Sequence, residues 1–412
     1  MRSTIAASLA MVLAATPAMA QLALPGAGDT LGQVNSRLDG LLEQGVNTTR
    51  KAVDGLTSAR IDRLAELVRN NRQAIEFDAE NQPARRGELL LEGADSAAIA
   101  RAEQAGFVVI AREDFQDLGL AVVRLAVPPG AALAQAEKRL RKVLPGVTIS
   151  SDQLYFASGN VAAGSMAAAP SVPGGTAAST MPVRIGVIDG APGPSAQVAA
   201  TQGFARGAPL ASNHGSAVVS LLLHAGARDI AVADVYGNDP AGGNAFAIVR
   251  ALGWLLTRKV RVVSISLVGP RNAVLAKAIS AVQGRGMVVV AAVGNDGPAA
   301  PPSYPASYPG VIAVTAVDGR NRALIEAGRA LHLDYAAPGA DMLAANAAGQ
   351  WKAVRGTSFA TPLVAARAAR AVADRGAKWL LALDGEARDL GRKGPDPVFG
   401  RGLVCGSCRR TK

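Results

Sequence analysis

Four short segments in the C-terminal half carry side chains suited to acyl transfer. Asp189 ends the apolar run Val183-Arg184-Ile185-Gly186-Val187-Ile188. His214 lies in Asn213-His214-Gly215-Ser216-Ala217-Val218, and Ser358 in Gly356-Thr357-Ser358-Phe359-Ala360-Thr361-Pro362. Asn295 lies in Ala291-Ala292-Val293-Gly294-Asn295-Asp296-Gly297. A serine hydroxyl becomes a nucleophile when a neighbouring imidazole takes its proton. A carboxylate must hold that imidazole in the right tautomer and stabilise its charged form. A side-chain amide such as that of Asn295 can then hold the oxyanion of a tetrahedral intermediate. Such a base works only as the neutral imidazole, so activity should rise as pH approaches neutrality. Each residue also has a plainer role: Asp189 as a turn or cap at a strand end, Ser358 as a helix N-cap. Of the three histidines, His224 falls in an apolar helix and His332 beside a strand, which reads as structural and leaves His214 as the base. The spacing Gly186, Gly190, Gly193 lacks the G-x-G-x-x-G pattern of a phosphate-binding turn. Pro362 is expected in the first helical turn after Ser358, where a missing N–H is harmless.

The elements that must position these side chains follow from hydrophobic pattern. Ile185 to Ile188, Ile230 to Val235, Val260 to Ile265, Met287 to Ala292 and Val311 to Ala316 are continuous apolar runs, which suit parallel strands buried on both faces. Helical stretches near 215–224, 244–258, 272–283 and 359–374 alternate with them. That is an α/β pattern, in which sites form where strands end. Residues 87–156 read differently: strand Glu88 to Leu91, helix Ser96 to Ala105, strands Phe107 to Ala111 and Leu118 to Val127, a helix from Pro129 to Val143, and strand Val147 to Phe156. The order β-α-β-β-α-β is the ferredoxin-like split βαβ pattern. Residues 30–75 carry apolar positions at helical spacing, so 21–86 reads as a helical segment. Residues 157–181 are Ala, Gly, Ser and Pro with almost no charge and read as a linker.

The first twenty residues have Arg2, a short apolar centre and Pro17-Ala18-Met19-Ala20, the pattern of a secretory signal cut after Ala20. An exported, periplasmic or secreted protein is expected, without a transmembrane segment once the signal is removed. Three His and two Cys make a multi-ligand metal site hard to build, so neither metal nor cofactor is expected. In an exported chain Cys405 and Cys408 are expected to form a local disulfide, with two idle thiols as the alternative. A net charge of +11 raises nucleic acid as a partner, but 4% aromatics leaves no base-stacking platform. The charge is also uneven. Residues 21–180 hold 16 Lys and Arg against 18 Asp and Glu, and residues 181–412 hold 26 against 14. That contrast fits an intramolecular partner better than nucleic acid.

The segment Gly356 to Pro362, with Val364 and Ala365 behind it, resembles the active-site serine motif of the subtilisin-like serine peptidases. The chain order Asp189, His214, Ser358 is that family's order, and Asn295 matches its oxyanion asparagine. Ser266-Leu267-Val268-Gly269-Pro270 resembles the family's substrate-pairing strand, with Val268 where a glycine is common. Tyr304-Pro305-Ala306, Val311-Ile312-Ala313-Val314 and Phe399-Gly400-Arg401-Gly402-Leu403-Val404 extend the likeness over about 182–405. Gly190-Ala191 follows Asp189 where the family usually has Ser or Thr and then Gly. The resemblance implies a subtilisin-like parallel sheet with helices on both faces in 182–412, acting on peptides or proteins through Asp189, His214 and Ser358. It implies a ferredoxin-like propeptide in 87–156 that inhibits and chaperones the catalytic domain, with self-cleavage in the linker. A catalytically silent binding module of the same fold is the alternative.

Overall fold

The computed structural model describes residues 51, 53–158, 160–161 and 183–411. The expected signal segment, the first part of the helical segment and most of the linker lie outside the described residues. Helix α1 covers residues 53–70. A small α+β layer follows: β1 (Ile75–Phe77), β2 (Pro83–Glu92), α2 (Ser96–Gln104), β3 (Val108–Phe115), β4 (Leu120–Ala126), α3 (Leu133–Val143) and β5 (Thr148–Gln153). Its sheet is antiparallel, in the spatial order β5-β2-β4-β3 with β1 also on β2, which is the ferredoxin-like arrangement. Successive side chains of a strand face opposite ways. Leu89 and Leu91 therefore join Ile99, Leu133 and Leu140 under the two helices, while Leu90 joins Val122 against the C-terminal half. Burial on both faces explains the unbroken Leu89-Leu90-Leu91 run.

Two short strands follow, β6 (Phe156–Ala157), which runs into the stretch 157–181 whose composition reads as linker, and β7 (Asn160–Val161), which lies inside it. β6 pairs antiparallel with β12 (Leu267–Val268), and β7 pairs with β17 (Trp351–Arg355), whose other neighbour is β16 (Met342–Ala345). The linker expectation is corrected at its start because main-chain pairing to an exposed strand edge needs no particular side chains.

The C-terminal half is built on β8 (Ile185–Asp189), β9 (Ala200–Gly203), β10 (Ile230–Asp234), β11 (Val262–Ile265), β13 (Val288–Ala292), β14 (Ile312–Val317) and β15 (Tyr335–Pro338). All pairs are parallel, in the order β15-β14-β13-β11-β8-β10-β9. One face packs on α5 (Ala245–Thr257) and α6 (Ala273–Gly284), the other on α4 (Asn213–His224) and α7 (Thr357–Arg375), with α8 (Trp379–Glu386) beyond. Ile185 and Val187 face α4 and α7, and Ile188 faces α5. Residues from Val53 onward form one compact unit. The small layer's open sheet face continues the core of the large one, with Phe115 edge-on to Phe246 at 6.1 Å.

Polar contacts fix this docking at two helix N-termini, whose first N–H groups lack intrahelical partners. Asp152 accepts from the Phe246 N–H of α5 at 2.9 Å. Asn272, the N-cap of α6, accepts from Val274 and Leu275, and its Nδ2 donates to the Ser151 carbonyl at 3.0 Å. Burial pushes the Asp152 carboxyl up to about 7, overcoming the Phe246 N–H and nearby Arg85. A carboxylate raised in the folded state stabilises it fully below its unfolded pKa and loses that contribution as pH rises towards the folded one. Arg85 also reaches Asp239 of the large layer at 2.6 Å. Burial opposes ionisation of Asp239, but the Arg85 contacts hold its pKa below 3.8, so its effect falls in a more acid window. Thermal unfolding of the intact chain should therefore occur at lower temperature at pH 8 than at pH 5. Asp152→Asn should remove part of that difference; an undiminished difference would show that Asp152 is not its source.

Candidate active site

Strand order reverses at β8: the chain leaves it for β9 and β10 on one side and continues from β11 to β15 on the other. Ligand crevices of open α/β sheets lie at such a point, beyond the carboxyl ends of the strands. Asp189 ends β8, Ser266 follows β11 and Asn295 follows β13. His214 enters in the first turn of α4, capped by Ser212, whose Oγ accepts from the Gly215 N–H at 2.9 Å. Side chains are excluded where the β8 loop meets this helix. A Cβ on Gly190 would lie 2.4 Å from Ser212 Oγ, and one on Gly215 would lie 2.0 Å from the Gly190 carbonyl oxygen.

His214 Nδ1 is 2.9 Å from both carboxylate oxygens of Asp189, which is 1% exposed. Asp189 also accepts from the Gly190 N–H at 2.8 Å. The imidazole packs on Phe359, ring centres 5.5 Å apart, and its Nε2 is buried without a hydrogen bond. Ser358 lies in the first turn of α7, fully buried. Its Oγ donates to the Ser266 carbonyl at 3.0 Å and lies 2.7 Å from Ser158 Oγ. Pro362 sits beyond the first turn, contrary to expectation. It supplies no N–H to the carbonyl of Ser358, four residues back, and Ser266 Oγ donates there instead at 2.9 Å.

The occupant of the crevice is the chain itself. Ala157 and Phe156 pair with Leu267 and Val268, and the Ser158 N–H donates to the Ser266 carbonyl at 3.2 Å. The Ser158 carbonyl oxygen accepts from Asn295 Nδ2 at 2.5 Å and from the Ser358 N–H at 3.1 Å. Thr357 orients the amide: its N–H donates to Asn295 Oδ1 at 3.0 Å, and its Oγ1 accepts from the Gly294 N–H at 3.1 Å. Thr357 stands inside the serine motif without a role assigned from the sequence, and Ser158 carries no signal of its own; the Tyr155-Phe156 pair, in a chain with few aromatics, was the available clue to a seated segment. Gly269, within the segment Ser266 to Pro270 that resembles a substrate-pairing strand, bridges to Tyr304.

Helix α1 lies over the same crevice. Arg60 and Arg63 bind Asp296, next to Asn295, at 3.1 and 2.6 Å, and Leu56 lies against Gly297. A cavity of about 930 Å³ separates the helix from Ser158 and Val268. His224 ends α4 and His332 bonds the Val311 carbonyl, both in structural settings. Cys405 and Cys408 are disulfide-bonded. Among the described residues no group of three His, Cys, Asp or Glu is placed to hold a metal ion, and no helix is long and apolar enough to cross a membrane.

The sheet, its helices on both faces and the residues gathered at the reversal of strand order define the subtilisin-like class of serine peptidase folds. Residues 199–383 match the model of the subtilase family. The matched segment holds His214, Asn295 and Ser358 and begins after Asp189. The chain is 36% identical over 140 residues to "Subtilisin" of Bacillus pumilus, covering 32% of this chain and 50% of that protein. It is 30% identical over 167 residues to "Minor extracellular protease Epr" of Bacillus subtilis (strain 168), covering 39% of this chain and 26% of that protein. The chain thus spans about half or less of the length of these relatives. The crystal structure of fervidolysin from Fervidobacterium pennivorans, described as a keratinolytic enzyme related to subtilisin, superposes with a TM-score of 0.63 at 17% identity. That match covers 82% of this chain and 63% of that one, and it speaks to fold alone.

Proposed function

We propose that the chain is an exported serine endopeptidase that cuts its own chain after Ser158 and then peptide or protein substrates. The observation that carries this reading is the Ser158 carbonyl, held by two N–H donors beside a serine, with strands paired on both sides of it. Donors aimed at a carbonyl oxygen stabilise the charge that develops there. Ser358 attacks the carbonyl carbon after turning from the Ser266 carbonyl towards His214 Nε2, which takes its proton. Asp189 holds the imidazole and balances its charge. Asn295 and the Ser358 N–H hold the oxyanion. The intermediate collapses as the amine leaves with the proton from His214, and water activated by the same imidazole hydrolyses the acyl-enzyme.

The ferredoxin-like layer is the intramolecular inhibitor, since its last strand leads into the segment that fills the crevice, and its docking at α5 and α6 supports a chaperone role. Helix α1 adds a second cover through Arg60, Arg63 and Asp296. The signal-like first twenty residues support export to the periplasm or beyond. Asn295→Ala should lower kcat/KM for a peptide nitroanilide by about 10²–10³-fold, mainly through kcat. A fall through KM alone would contradict an oxyanion role. The reading as a whole is tested with purified protein and casein. Hydrolysis together with a new N-terminus at Gly159 is expected; intact casein from a correctly folded, processed protein would point to the silent binding module.

A further inference from the structure

Residues 402–411 join two sheet edges through the Cys405–Cys408 turn. On one side of it the chain runs beside β15: the Ala336 N–H donates to the Gly402 carbonyl at 2.9 Å, and the Val404 N–H donates to the Ala336 carbonyl at 2.8 Å. Cys405 then turns with a φ of 57°, a left-handed conformation uncommon outside glycine. The Cys408 N–H donates to the Cys405 carbonyl at 2.8 Å, and the disulfide closes the turn. On the other side the chain lies along β16. The Arg410 carbonyl accepts from the Leu343 N–H at 2.8 Å, and the Arg410 guanidinium stands 3.7 Å from the centre of the Trp351 ring on β17. Arg409 donates to the Asp318 carbonyl at 2.6 Å. The far edge of β17 pairs with β7, the second and third residues after Ser158.

We infer that Cys405–Cys408 is a thiol–disulfide exchange site, a clasp whose opening by a dithiol frees residues 409–411 from β16 and slackens the sheet that pairs with the chain just past the cut. A cross-link over so short a loop removes little chain entropy, so its effect is local: it holds the turn that delivers Arg409 and Arg410 to β16. Cys405 is buried, whereas Cys408 is partly exposed and Gly406 and Ser407 are exposed. A cavity of about 530 Å³, lined by Cys405, Arg388 and Arg409, opens beside the bond. Cationic side chains there favour an arriving thiolate. The thiolate attacks the Cys408 sulfur, and the Cys405 sulfur leaves and takes a proton. The second thiol of the reagent then displaces Cys408 as a thiol. The dithiol loses two electrons and becomes a disulfide, and the protein disulfide gains them. Gly402 and Val404 keep their bonds to β15, so the fold should hold. The effect on cleavage rests on the peptidase reading; the effect on β16 does not.

The test treats purified, processed protein with dithiothreitol and follows thiol release, amide hydrogen exchange and cleavage. Reduction should proceed in the folded protein, with faster exchange in β16 and β17 and no change in β15. A quenched fluorogenic peptide that extends three residues past its cut should lose about three- to ten-fold in kcat/KM, mainly through KM, as one or two main-chain hydrogen bonds weaken. A peptide nitroanilide, with no residue past the cut, should change by less than about two-fold. Reoxidation should restore the longer substrate, and Cys405→Ser with Cys408→Ser should match the reduced protein without reagent. A disulfide that resists dithiothreitol until the protein unfolds, unchanged exchange in β16, or equal effects on the two substrates would overturn the inference. Faster exchange in β16 with neither substrate cut in either redox state would leave the clasp standing and sink the peptidase reading alone.

Discussion

Ser358→Ala should leave the chain uncut after Ser158 and unable to hydrolyse casein. Removing the serine of a subtilisin triad lowers kcat by about 10⁶-fold, and a loss of that order is expected here. The substitution deletes one hydroxyl from a fully buried site, where it contacts the Ser266 carbonyl and Ser158 Oγ. The Ser358 N–H and Asn295 would still hold the Ser158 carbonyl, so the segment should stay seated and the fold intact. Gel mass and N-terminal sequencing report the cut, and circular dichroism reports the fold. A variant that still gains an N-terminus at Gly159 when purified alone would remove Ser358 as the nucleophile.

Asp189→Asn should cost about 10⁴-fold in kcat. Both carboxylate oxygens lie 2.9 Å from His214 Nδ1, so the ionised group fixes Nδ1 as a donor and leaves Nε2 free to accept. An asparagine can turn its NH₂ towards Nδ1, which moves the ring proton to Nε2 and blocks transfer from Ser358. The Gly190 N–H keeps its acceptor through the remaining amide oxygen. The expected loss is therefore in chemistry, with thermal unfolding little changed. A fall of less than ten-fold would show that the carboxylate beside His214 is not part of the catalytic machinery, and the sequence reading of Asp189 would fail with it.

Much of this geometry was legible in the sequence because burial on two faces writes itself as apolar runs: five of the parallel strands and four helices fall where such runs stand. β9 and β15 escaped, the first because none of its residues is buried, the second because Tyr335-Ala336-Ala337-Pro338 is short and ends in proline. Asp189, His214 and Ser358 stood out in the sequence by their motifs, and their placement at one crevice depends on where strands end. The seating of Ala157 and Ser158 was not legible, because main-chain pairing leaves no side-chain signature and the composition from residue 157 onward reads as linker. Pairing of Arg60 with Asp296 spans 236 positions, and Tyr236 meets Tyr155 across 81. Contacts of that range follow from the completed fold.

The most direct measurement is labelling of the processed protein with a fluorophosphonate, followed by mass mapping of the modified peptide. The expected result is one adduct, on the peptide containing Ser358, absent from Ser358→Ala. No adduct in a correctly folded, processed protein, or an adduct on a different serine, would contradict the assignment of Ser358 as an activated nucleophile.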